Sequence, residues 1–267
     1  MTSKLPAVLI TGASTGIGAI YADRFARRGH DLVLVARDVS RMEALSNRLA
    51  REAGIAVDIL PADLVDPAQL ARVEARLRED ERIGILINNA GAAAAGGFSD
   101  PDPDALDRLI RLNVTAVTRL AGAAVPRFLK RGEGAIVNIA SVVGLAPEIS
   151  FGIYGATKAY VLAFSQNLQV EFAQRGLYVQ AVLPAATRTE IWERSGRDVN
   201  QIAGVMEVGE MVDAALLGFD RREAVTIPSL PDVAQWEAFD SARRAMLPNF
   251  ANEHAAPRYR QQENRPV

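Results

Sequence analysis

The sequence predicts an α/β domain: a doubly wound parallel sheet of seven strands, with helices on both faces making three layers. Two observations carry this. Short apolar runs rich in β-branched residues alternate with amphipathic helical patterns almost to the C-terminus, as a parallel sheet covered on both faces requires. No linker of changed composition interrupts them, so residues 1–267 are expected to form a single domain. A length of 267 residues with 49% apolar content is enough to fill a substantial core.

The strands expected in order are Ala7–Thr11, Asp31–Ala36, Ala56–Leu60, Ile83–Asn88, Ala135–Ala140, Tyr178–Leu183 and Ala224–Ile227. Between them the helices signal their own starts. Ser40 with Glu43 reads as a capping box ahead of an apolar stripe of Met42, Leu45 and Leu49. Asp66 as N-cap and Pro67 at the first helical position precede Leu70, Val73 and Leu77. A long helix is expected from about Asp104 to Lys130, with Leu106, Leu109, Ile110, Val114, Val117, Ala121 and Ala124 inward and Pro126 kinking its last turns. Another is expected from about Gly152 to Gln174. The stretch 185–209 breaks this rhythm, because a connection after a strand usually takes about 2–6 residues, and it is read as a substrate lid. From about Asn252 to residue 267 the chain becomes a polar tail.

Composition narrows the function classes. Thirty basic and 32 acidic residues leave a net charge of −2, which offers no general attraction for nucleic acid or an anionic membrane. There is no cysteine and there are two histidines, His30 and His254, so disulfides, thiolate nucleophiles and a multi-histidine metal site drop out. No metal is expected. The apolar run Leu5–Ile10 is short for a signal segment and far short of a membrane span. A cytoplasmic location and a small-molecule substrate are therefore expected.

The first strand runs into "TGASTGIG". Gly12, Gly16 and Gly18, with Ser14, Thr15 and Ile17 between them, suit a loop whose backbone N–H groups approach a phosphate at a helix N-terminus. The same residues satisfy G-x-S-x-G, the pattern of a hydrolase elbow, with Ser14 as nucleophile and His254 as its base. After the second strand, Ala36 stands where a carboxylate would bind the adenosine ribose of NAD, and Arg37 follows. An absent acid beside a present guanidinium favours NADP(H) over NAD(H). Asp63 after the third strand is either an adenine contact or a turn residue. In "ILINNAG", Asn89, Ala90 and Gly91 face a crevice or tie adjacent turns together.

Tyr154 and Lys158 in "YGATK" are four apart and share a helix face. A free tyrosine titrates at about 10. Bringing it down by about three units takes roughly 4 kcal/mol, which a neighbouring ammonium can supply. Ser141, just beyond the fifth strand, is placed to bond a carbonyl oxygen together with Tyr154. Asn113 lies on the inner stripe of the long helix, where its amide needs partners, either a local bond set or a water in a proton relay.

In this order and spacing, "TGASTGIG", "NNAG", Asn113 in "LNVTAV", Ser141 in "NIASVVG" and "YGATK" resemble the short-chain dehydrogenase/reductase family over about Leu5 to Ile227. The resemblance implies a Rossmann-like sheet of order 3-2-1-4-5-6-7 and hydride transfer between nicotinamide and a carbonyl or alcohol. It implies Tyr154 as acid/base, Ser141 orienting the carbonyl, Lys158 binding the nicotinamide ribose and lowering the Tyr154 pKa, and Asn113 holding a relay water. The cofactor set it implies is Gly12, Ser14, Thr15, Gly16, Ile17, Gly18, Arg37, Asp63, Leu64, Asn89, Ala90, Gly91, Tyr154, Lys158, Pro184, Thr187 and Thr189. It also implies a homodimer or homotetramer, commonly through the helices of Asn113 and Tyr154. One departure is Pro184-Ala185 in place of the usual Pro-Gly, which puts the loop's path beside the nicotinamide in question. An NADP(H)-binding sensor without turnover is a further reading, against which the complete Asn-Ser-Tyr-Lys set speaks.

Overall fold

The computed structural model describes residues 5–93, 102–149, 152–196 and 198–260. Arg197 of the expected lid and residues 261–267 of the expected tail lie outside the described residues. The strands are β1 (Ala7–Thr11), β2 (Leu32–Ala36), β3 (Val57–Pro61), β4 (Ile83–Asn88), β5 (Gly134–Ile139), β6 (Leu177–Val182) and β7 (Val225–Thr226). They form one parallel sheet in the order β3-β2-β1-β4-β5-β6-β7. Each lies where an apolar run predicts it, its ends displaced by no more than one residue.

The helices are α1 (Gly16–Arg27), α2 (Val39–Ala53), α3 (Pro67–Glu79), α4 (Pro103–Ile110), α5 (Val117–Arg131), α6 (Gly152–Phe172), α7 (Ile191–Arg194), α8 (Val208–Asp220) and α9 (Val233–Ala245). Period-2 alternation sends Val8 and Ile10 of β1 to one face of the sheet and Ala7 and Leu9 to the other. On the first face they meet Tyr21 and Phe25 of α1, Met42 of α2 and Met211 of α8. On the second they meet Leu70 and Val73 of α3, Leu120 and Phe128 of α5 and Leu168 of α6. Burying side chains of this size contributes about 1.5–3 kcal/mol each.

Two local expectations are corrected. The N-cap of α2 is Asp38, whose carboxylate accepts from the Arg41 N–H, and Ser40 and Glu43 make no capping box. An Asp two positions upstream reaches the first free N–H groups, so the helix starts before Ser40 can cap it. The long helix is in three parts: α4, a π-helical turn over Arg111–Ala116, and α5. The wider turn rotates the inward face. Asn113, Ala116 and Leu120 are buried, whereas Ile110, expected inward, is 38% exposed.

Contacts divide the chain into two units, Met1–Ser229 and Leu230–Val267. The first holds the sheet and all the residues named above for chemistry except His254. The second holds α9, capped by Asp232, in which no residue is buried, and His254, which is exposed.

Candidate active site

β1 and β4 are adjacent in the sheet, yet their chains lead off towards opposite edges, and ligands bind in the crevice beyond the C-terminal ends of such strands. The β1 end of this crevice is built for backbone. Gly12 and Gly16 have φ of +66° and +54°, a region other residues avoid. A Cβ on Gly12 would stand 2.8 Å from Asn89 Nδ2, and one on Gly18 would collide with the Gly12 carbonyl. Thr15 caps α1 by position only, with no side-chain bond, and no acid stands in the first turn. The first N–H groups of α1 are thus left for a ligand, and the helix dipole favours an anion there.

A threonine that the motifs do not single out holds this loop against β4. Thr11 Oγ1 donates to the Ile87 carbonyl and accepts from the N–H groups of Asn89 and Ala90, each at 3.0 Å. Asn89 Nδ2 returns to the carbonyls of Thr11 and Gly12. Asn89 therefore ties turns together while the backbone of Gly91 stays open to the crevice. Asn88 is turned into the sheet, donating to Asn138, which donates to Ser165 of α6.

At the end of β2, Arg37 is exposed and makes no ion pair among the described residues, which fits it to receive a phosphate. Asp63 accepts from the Val65 N–H in a tight turn, and Leu64 is buried. The glycine loop, the uncapped helix start and the unpaired Arg37 together fit the pyrophosphate and 2′-phosphate of a dinucleotide.

The other side of the crevice is lined by α6 and the end of β5. Ser141 caps a short 3₁₀ turn over Val142–Gly144 and donates to the Pro184 carbonyl at 3.2 Å. Its hydroxyl also hydrogen-bonds to the Tyr154 phenol. Gly144 allows this turn to lie on α6, because a Cβ there would be 2.8 Å from the backbone at Lys158 and Ala159. Lys158 is buried, donates to the Ile139 carbonyl at 2.7 Å and stands 5.6 Å from the centre of the Tyr154 ring. Asn113 comes in from the π-helical turn. A Cβ on Gly91 would sit 3.3 Å from Asn113 Oδ1 and 3.5 Å from Lys158 Nζ, so these groups converge on one point of the β4 loop.

The electrostatics differ from the sequence expectation. Burial pushes the Tyr154 phenol up to about 12, with the Ser141 hydrogen bond pulling the other way. Burial also brings the Lys158 ammonium down to about 8. The depression of Tyr154 expected from Lys158 is absent in the chain alone, because burial favours the neutral form of both groups.

The segment 185–209, expected to be a lid, follows Pro184 and is tied at its base. Thr187 pairs with Met206, the Arg188 N–H donates to the Met206 carbonyl, and Trp192 Nε1 donates to the Thr187 carbonyl. Thr189 lies over Gly16, where a Cβ would come within 3.3 Å of its methyl carbon. Ala185 does not have a positive φ, so its replacement of glycine introduces no backbone strain. Thr187 Oγ1 donates to the carbonyl of Ala185.

A parallel sheet with a glycine loop at the switch point, and a cluster of Ser141 after β5 with Tyr154 and Lys158 on α6, has the parts of a dinucleotide-dependent oxidoreductase. A family model described as short chain dehydrogenase matches residues 6–200, and the chain belongs to that family. Oxidoreductase UcpA of Escherichia coli strain K12 is 35% identical over 239 residues, covering 82% of this chain and 89% of that protein. A short-chain dehydrogenase from Sphingobium yanoikuyae, solved in complex with NADPH, is 64% identical with a TM-score of 0.94, over 96% of this chain and 100% of that one. The bulky-bulky ketone specific alcohol dehydrogenase from Comamonas testosteroni is 54% identical with a TM-score of 0.90, over 96% and 99% of the two chains. Among the described residues no helix is long and apolar enough to cross a membrane.

Proposed function

We propose that this protein is an NADP(H)-preferring dehydrogenase/reductase that interconverts ketones and secondary alcohols, with bulky ketones as the substrates to try first. The observation that carries the reading is the convergence of Ser141, Tyr154 and Lys158 beside the loop of Gly91 and Asn113. The bulky-bulky ketone specificity of the Comamonas testosteroni enzyme supports the choice of substrate, and the NADPH of the Sphingobium yanoikuyae complex supports the choice of cofactor.

NADPH, when bound, would supply the hydride that the carbonyl carbon gains. Ser141 turns its one hydroxyl proton from the Pro184 carbonyl to the substrate's carbonyl oxygen and holds it by a hydrogen bond. Tyr154 gives that oxygen its proton as the charge develops, so ketone becomes alcohol with one hydride and one proton gained. Neutral Tyr154 is the form that burial favours, which suits the reducing direction at neutral pH. Lys158, near its titration point, binds the nicotinamide ribose and returns a proton to Tyr154, a role that its lowered pKa supports. The Asn113 amide protons are spent on Ala92 and Thr157, so a relay water at Asn113 would have to be held by its oxygen atoms. Arg37 takes the 2′-phosphate by charge-assisted hydrogen bonds.

The test is turnover of a ketone panel with NADPH and with NADH, followed at the nicotinamide absorbance, for the wild type and Arg37→Ala. Expected is reduction that prefers NADPH, a preference that Arg37→Ala loses by about tenfold or more while NADH is little affected, as loss of a charge-assisted bond of about 1.5–3 kcal/mol implies. Equal weakening of both cofactors would remove the 2′-phosphate assignment. Absence of turnover across the panel would favour the sensor reading.

A further inference from the structure

Thr157 is 3% exposed, and its hydroxyl stands between two of the groups above. It donates to the Tyr154 carbonyl at 2.8 Å and accepts from Asn113 Nδ2 at 3.1 Å. The other Nδ2 proton of Asn113 goes to the Ala92 carbonyl at 2.9 Å, and Asn113 Oδ1 accepts from the Ala92 N–H at 3.0 Å. A primary amide has two protons, and both are used. The bonds therefore run without a gap from the loop after β4, through the π-helical turn, to the first turn of α6.

A threonine inside a helix commonly bonds a carbonyl three or four residues back and does nothing more. Here the same hydroxyl also takes an amide proton from a residue 44 positions earlier in the chain. Because the hydroxyl proton is spent on Tyr154, its lone pairs are directed at Asn113, and the two helices are held in one register. Sliding or rotating α6 would break this bond, move Lys158 away from Gly91 and carry Tyr154 with it.

We infer that Thr157 is a positioning residue: its hydroxyl locks the turn of α6 bearing Tyr154 and Lys158 to Asn113 and the loop after β4, and so sets where the phenol stands in the crevice. The kinetic part of this inference rests on the proposed function, while its spectroscopic part does not. Without the hydroxyl, one buried Asn113 N–H has no acceptor, and the amide must turn to find another.

The experiment compares full-length Thr157→Val, which keeps the shape, Thr157→Ala and Thr157→Ser. Protein labelled with fluorotyrosine, its Tyr154 resonance assigned by Tyr154→Phe, reports the phenol's environment and titration without any turnover. The expected result is a displaced resonance and titration midpoint for Val and Ala and wild-type behaviour for Ser. With ketone and NADPH, Val and Ala should lose about tenfold or more in kcat with KM nearly unchanged, the pattern of an interaction that matters in the transition state. Folded Val and Ala variants with the wild-type resonance, titration and kcat would overturn the inference, whatever their melting temperature. So would insolubility of both beside a soluble Ser variant, which would make Thr157 a folding residue only. A wild type inactive on every ketone would defeat the proposed function, and the fluorine arm would still decide Thr157.

Discussion

The first turns of α6 and the segment 185–209 both border the crevice, and they are made differently. In α6 the groups near the chemistry are buried and bonded: Lys158 to Ile139, Thr157 to Asn113 and Tyr154, with Gly144 packed on the backbone. The segment after Pro184 is fastened at its base by Met206 and Trp192, and beyond that by exposed charges such as Arg41–Glu190 and Arg188–Glu207. Reacting groups need fixed geometry, which a buried and bonded element supplies. If the segment 185–209 is the substrate lid proposed from the sequence, weaker ties suit it, and exposed ion pairs of about 0–1 kcal/mol provide them.

Replacing Lys158 separates rigidity from chemistry most sharply. Lys158→Met should lower kcat by about 10²-fold or more and yet stabilise the fold at neutral pH. Folding lowers this pKa from 10.5 to about 8, so between those values the unfolded chain binds more protons and wild-type stability rises with pH. Below that window the buried lysine carries a constant penalty of up to about 3 kcal/mol, at 1.36 kcal/mol per unit. Losing the bond to the Ile139 carbonyl costs about 1 kcal/mol or more, which leaves a net gain of about 1–2 kcal/mol. Urea unfolding at several pH values should show this gain at neutrality and its disappearance as pH approaches 10.5.

Gly144→Ala should strike the same region from the opposite direction. Its Cβ meets backbone rather than a movable side chain, so a loss of about 1–3 kcal/mol in stability should accompany a fall in kcat, both measurable on the purified variant. Smaller effects are expected in the lid. Trp192→Phe removes one bond to the Thr187 carbonyl, worth about 0.5–1.5 kcal/mol; a rise of about two- to tenfold in ketone KM with kcat preserved would mark it as a lid effect. Glu190→Gln should weaken NADPH binding by no more than about fivefold, an effect that added salt should erase in a fluorescence titration. If Glu190→Gln matched Gly144→Ala in its effect on kcat, the contrast between the two regions would fail.

Much of this contrast is legible in the residues. Apolar runs place every strand, because a buried parallel strand leaves a dense local signal that does not depend on its neighbours. The spacing of Tyr154 and Lys158, the glycines of the first loop and the pair Ala36-Arg37 are equally readable. The rest depends on three-dimensional neighbours. Nothing in "RLNVTA" announces a π-helical turn, so periodicity carries the inward face through Ile110, which is exposed. Asp38 and Ser40 are both good caps, and sequence alone does not say which reaches the helix first. Thr11, Gly144 and Thr157 look like ordinary members of their segments, and their partners lie 76, 14 and 44 positions away. The raised pKa of Tyr154 follows from burial, which pairing Tyr with Lys on a helix face does not report.

The most direct measurement is the rate of NADPH oxidation by Tyr154→Phe beside the wild type, on the best ketone of the panel, with NADPH affinity measured on both proteins. The account predicts a loss of about 10³-fold in kcat, within the range of about 10²–10⁴ expected for an acid/base group, with NADPH affinity unchanged within about threefold, since the phenyl ring stays in place. Wild-type turnover by Tyr154→Phe would contradict it.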